Sequence, residues 1–93
     1  MTSKQVAALE LIDKAREEIE SELAKPQNLI TERGTLEDFL RELDLMEGEI
    51  KDNRLPAPAK RRRGMGRVIA VSWPLSSPLG ETIVSAEHAY LAL

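Results

Sequence analysis

An all-α fold is predicted for this chain: an N-terminal antiparallel helical hairpin followed by two shorter helices, about four helices in one small bundle. Three observations predict it. Apolar residues recur at helical spacing in successive blocks, Pro and Gly separate those blocks, and the one segment that resembles a buried strand has no second strand to pair with.

Residues 3–25 are dense in helix formers, and Pro26 stops them. Ala8, Ile12, Ala15, Ile19 and Leu23 form one stripe, widened by Leu9, Leu11 and Ala24. Glu10 and Lys14 form an i,i+4 pair of the favourable sign. In the connection PQNLITERG, Leu29 and Ile30 are available to plug the end of a core.

The second helix is expected over 35–52. Thr35 stands where an N-cap belongs, and Glu37 and Asp38 complement the dipole of the first turn. Leu36, Phe39, Leu40, Leu43, Met46 and Ile50 supply its apolar face, which Glu47 interrupts. Two amphipathic helices of similar length with a short connection predict a hairpin.

Pro56 and Pro58 forbid a continuous helix through DNRLPAPAKRRR, and Pro58 suits the first position of a new one. A third helix is read over 59–73. The core of that region, RVIAVSW, also has the composition of a buried strand, which would have to pair across a dimer or with a partner's sheet edge. A helix satisfies its backbone internally and places Met65, Val68, Ile69, Ser72 and Trp73 on one face. Gly64 and Gly66 oppose it by about 1 kcal/mol each. Burial of Val68, Ile69, Val71 and Trp73 offsets this, at roughly 1.5–3 kcal/mol for a fully buried large apolar side chain. The glycines also permit close helix contact. After a Pro-bounded turn, Ser77-Pro78 followed by Glu81 starts a fourth helix over 78–93, with Leu79, Ile83, Ala86, Tyr90 and Leu93 as its stripe.

Composition narrows the function. Ninety-three residues with no cysteine exclude disulfides and thiolate chemistry. The start of the chain lacks an apolar signal region, and no apolar run has membrane-spanning length, so a cytoplasmic protein without a membrane partner is expected. The net charge of −3 conceals an asymmetry: residues 1–52 carry fourteen acidic and seven basic side chains, residues 53–93 two and six. The halves should attract each other or different partners.

Candidate chemistry is sparse. GMG opens a dinucleotide fingerprint, but Ile69 occupies the third glycine position and no strand precedes it. His88 has no companion ligands at a recognised metal spacing, and Ser72, Ser76, Ser77 and Ser85 lack an activating triad. The carboxylates of the first two helices read as polar faces. Neither a cofactor nor enzymatic activity is therefore expected. Two charged features remain as partner-binding candidates: Glu37, Arg41, Glu42, Asp44 and Glu47 on the second helix, and the run Lys60, Arg61, Arg62, Arg63. The run suits phosphate contacts. Without interleaved aromatic residues, and in an acidic protein, nucleic acid is the lesser reading, and the alternative is that the run folds back on the acidic hairpin. A homodimer that buries the apolar C-terminal segment is a further reading.

The order of features resembles the small helical immunity proteins of type VI secretion effector pairs, in particular those neutralising a secreted NAD(P)+ glycohydrolase toxin. The resemblance rests on Ile12-Asp13-Lys14-Ala15, on Gly66 with Val68-Ile69-Ala70 in GRVIAV, on Pro78-Leu79 and on Ala89-Tyr90. It spans nearly the whole chain. Where the family carries acidic residues after its Gly-x-Ile/Val-Ala-Val segment, this sequence has SWPLSS, and it adds the basic run. The resemblance implies a helical cytoplasmic protein that binds a cognate toxin domain and blocks its active site.

Overall fold

In the computed structural model, which describes residues 1–74 and 76–93, the chain is all-α. Its elements are α1 (Ser3–Leu23), α2 (Arg33–Lys51), a 3-10 turn (Pro58–Lys60), α3 (Gly64–Ser72) and α4 (Pro78–Leu91). The Pro-bounded connection expected over 74–77 lies partly outside the described residues, at Leu75.

α1 starts with a capping box. The Gln5 N–H donates to Thr2 Oγ1 at 3.1 Å and the Thr2 N–H to Gln5 Oε1 at 2.9 Å. Its buried stripe is Ala8, Ile12, Ala15 and Ile19, as the spacing predicts, with Leu23 partly buried. At 1.5 Å rise per residue its 21 residues span roughly 32 Å and set the 39 Å long axis of the molecule.

α1 ends at Leu23, two residues before the expected limit, because the following turn is claimed by side chains. The Ile30 N–H donates to the buried Glu22 carboxylate at 2.7 Å. Arg33 donates to the carbonyls of Leu23 (2.9 Å) and Lys25 (3.0 Å). Holding Arg33 there draws it and Gly34 into α2. The N-cap is Glu32, without a side-chain cap bond, and Thr35 lies inside the first turn instead of capping it. The C-terminus of α2 closes in a Schellman motif: Asn53 takes φ 54°, its N–H bonds Ile50 O at 3.2 Å, and the Arg54 N–H bonds Glu49 O at 2.8 Å.

α1 and α2 pack antiparallel: Arg33 reaches the end of α1, while Arg16, two turns earlier, pairs with Asp44 and Glu47. α4 also runs antiparallel to α1, with its start beside Glu22 and Lys25 and its end beside residues 2–5. α1 is thus the central element, packed most extensively on α4 and also on α2. Leu36, Phe39, Leu43, Met46 and Ile50 of α2 and Ile83, Ala86 and Tyr90 of α4 complete the core with the α1 stripe.

The third helix differs most from expectation. It begins at Gly64, not residue 59, because Arg61 is extended (φ −76°, ψ 151°) and separates the 3-10 turn from α3. It ends before Trp73, which Pro74 confines to the extended region (φ −102°, ψ 154°). The expected inward face is also rotated. Met65 and Trp73 are buried and Ile69 partly so, whereas Val68 is 38 % exposed, Val71 86 % exposed, and Ser72 exposed.

Two glycines explain the rotation. A Cβ on Gly66 would lie 2.7 Å from Glu87 Oε1, and one on Gly80 would lie 3.2 Å from Ile69 Cγ2 and 3.4 Å from Trp73 Cε3. α3 and α4 approach through these bare positions, so the Gly66 side of α3 faces α4 and its valines turn outward. The expected close helix contact is present at Gly66, whereas Gly64 has open space around it. Phe39 and Trp73, with centroids 5.8 Å apart, tie the end of α3 to α2.

Candidate protein-binding site

Of the expected partner-binding residues the structure brings one pair together, Arg62 and Glu42, at the junction of α2 with the start of α3; most of the others are engaged elsewhere or stand apart. Arg62 reaches Glu42 at 3.4 Å and lies 3.9 Å from Glu49. Glu49 Oε1 accepts a 2.7 Å hydrogen bond from Tyr90 Oη, linking α2 to α4. Burial, reinforced by this bond and the Glu49 charge, pushes the Tyr90 hydroxyl up to about 12. Asp44 and Glu47 are held by Arg16 at 3.0 and 3.2 Å, and Arg41 pairs with Asp38. Burial would raise the Glu47 carboxyl, but Arg16 and then Lys51 hold it below the ordinary range. Glu37 is exposed and stands apart from these ion pairs.

The basic run divides into unlike parts. Arg61 is buried, and its guanidinium donates to Pro56 O at 3.0 Å and to Leu91 O at 3.1 Å, capping the last turn of α4. Arg62 folds onto α2 as described. Arg63 is exposed and donates to Pro58 O at 3.1 Å, and Lys60 is exposed on the 3-10 turn. A four-residue cationic cluster facing solvent therefore does not form.

What the junction presents instead is a cleft of about 470 Å³ with an apolar floor of Phe39, Met65 and Val68 and a charged rim of Asp38, Glu42, Arg62 and Arg63. Val68 continues this surface onto the outer side of α3. There Arg67 and Val71, at i and i+4, share one side of the helix, and Arg63 precedes them as the N-cap. On the other side of α3 a recess of about 380 Å³ is lined by Ile69, Ala70, Trp73 and Val84 among others. The buried Trp73 Nε1 has no hydrogen-bond partner among the described residues.

α3 is held from beneath by one carboxylate. Arg63, its N-cap, supplies no side-chain bond, and Glu87 of α4 does so in its place: the N–H groups of Met65 and Gly66 donate to Oε2 and Oε1, each at 3.1 Å. Glu87 is 3 % exposed. Burial pushes its carboxyl up, and the two amides with the charges of His88 and Arg63 pull it back only in part.

Sequence reasoning placed Val68 and Val71 in the core and left Arg67 out of the site. The available signal was Arg67 itself: a residue four positions after an arginine shares its side of the helix, so Val71 belonged with the charged face. Among the described residues no cluster of three or more His, Asp or Glu is placed to hold a metal ion, and no helix is long and apolar enough to cross a membrane. No protein-family model matches the chain, and no curated protein matches it.

Proposed function

We propose that this is an immunity or antitoxin-type binding protein, cytoplasmic and without catalytic activity of its own, which occludes the active site of a cognate toxin enzyme. The observation that carries the reading is the surface formed by the α2–α3 cleft and the outer stripe of α3. Exposed Val68 and Val71 lie beside Arg63 and Arg67, with Asp38 and Glu42 opposite. Aliphatic contacts at the centre of a charged rim are the anatomy of a protein interface. The whole-chain resemblance to type VI secretion immunity proteins adds the class of partner.

A nucleic-acid role draws less support, because Arg61 and Arg62 are engaged within the fold. The test is coexpression with the toxin domain encoded by a neighbouring reading frame. Protection of the cell and a stable complex of the two purified chains are expected; failure to bind or protect overturns the proposal for that pair.

A further inference from the structure

We infer that the outer face of α3 binds an acidic, aliphatic segment of a partner protein. This inference rests on the binding-protein reading and names the chemistry of its ligand. Lys60, Arg63 and Arg67 are exposed, and none has a carboxylate within ion-pair distance among the described residues, whereas Arg16, Arg41, Arg54 and Arg62 are all paired. Of the unpaired cations, Arg67 stands one turn before the most exposed large apolar side chain of α3, Val71, and Arg63 lines the same cleft as the half-exposed Val68. A cation stripe alone fits any polyanion. Valines set into it require a ligand that brings aliphatic groups as well as negative charge, which a nucleic-acid backbone does not. An anionic bilayer supplies both, but it is a plane that would also face Asp38 and Glu42, which share the cleft with Val68 and Arg63. A narrow helix or strand with alternating Leu and Glu character contacts the stripe alone.

The experiment uses the full chain and two synthetic amphipathic helices with the same leucine face, one with an all-Glu and the other with an all-Lys polar face, each titrated by fluorescence anisotropy at low salt. The Glu peptide is expected to bind at least about ten-fold more tightly than the Lys peptide. Arg67→Glu and Val71→Asp should each weaken it by about ten-fold or more with no change in helix content, because both sites face solvent, and Arg67→Lys should retain most of the affinity. Equal binding of both peptides, preference for the Lys peptide, or an Arg67→Glu variant that binds as the parent does overturns the inference. So does tighter binding to phosphatidylglycerol vesicles than to the Glu peptide, or Val71-dependent self-association in sedimentation, each of which assigns the face to a different occupant. If the Arg67→Glu/Val71→Asp double variant still protects against the toxin, this inference fails and the immunity reading stands. If the parent chain binds the Glu peptide through this face but gives no protection, the reverse holds.

Discussion

Glu87 and Gly66 are mutually dependent: the Gly66 N–H donates to Glu87 Oε1 at 3.1 Å, and a Cβ on residue 66 would stand 2.7 Å from that same oxygen. A residue of α4 caps α3, and only a glycine lets it approach. Gly66→Ala should therefore destabilise the fold, by about 1–3 kcal/mol, although alanine is the better helix former, because it displaces a buried carboxylate from its amides. Gly48→Ala, inside α2 with nothing within 4 Å of the added methyl, should stabilise by about 0.5–1 kcal/mol. Urea titrations followed by the fluorescence of the single tryptophan compare the two; equal effects would remove the steric account.

The buried carboxylates respond to pH with opposite signs. Glu87 is raised in the fold, so its contribution is full below its unfolded value and declines as pH rises through the folded one. Glu22 is lowered, by Lys25 first and then, against burial, by the Ile30 amide; its contribution is present above the unfolded value and declines as pH falls through the folded one. The stability difference between parent and Glu87→Gln should thus shrink from acid to neutral pH, and that between parent and Glu22→Gln should grow. Denaturant midpoints across the carboxylate range check both slopes.

Tyr90 is the only tyrosine, so tyrosinate absorbance reports it alone. It should ionise near 12 in the folded chain and near the ordinary value, about 10, once unfolded. Its contribution is full below the unfolded value and is lost as pH rises toward 12. Tyr90→Phe should cost about 1–2 kcal/mol through the lost bond to Glu49. Ionisation at the ordinary value in a chain still helical by circular dichroism would contradict the burial of this hydroxyl.

Within the basic run, the arginine that matters to the fold is Arg61. Arg61→Ala should cost about 2–3 kcal/mol, having freed the carbonyls of Pro56 and Leu91, whereas Lys60→Ala and Arg63→Ala should stay within about 0.5 kcal/mol of the parent. Thermal unfolding of the three variants separates a structural arginine from its exposed neighbours. Similar shifts in all three would count against the division.

Much of the fold was legible as local chemistry. The stripes of α1, α2 and α4 follow from apolar spacing, the breaks from Pro26, Pro56, Pro58 and Pro74, and the start of α4 from Ser77, whose Oγ accepts the Gly80 N–H at 3.1 Å. Asn53, whose left-handed conformation closes α2, was also within reach, since asparagine tolerates that conformation. Less of the site was legible: folding of the basic run back onto the acidic hairpin was one of the readings, and Arg62 does so at Glu42, but no local pattern showed that Arg16 holds Asp44 and Glu47 or that Arg61 is buried.

By itself, the sequence determined which segments are helical and which side of the three longer helices is apolar, because periodicity and proline act within a few residues. Only the tertiary structure decided where α3 begins, which of its faces is outside, and that Arg61 and Arg62 turn inward. The groups that settle those questions stand 20 to 30 positions away: Glu42 for Arg62, Glu87 for Met65 and Gly66, and the Leu91 carbonyl for Arg61. No local pattern encodes a cap supplied by another helix, so the valines of GRVIAV read as core until Glu87 and the two glycines turned them to solvent.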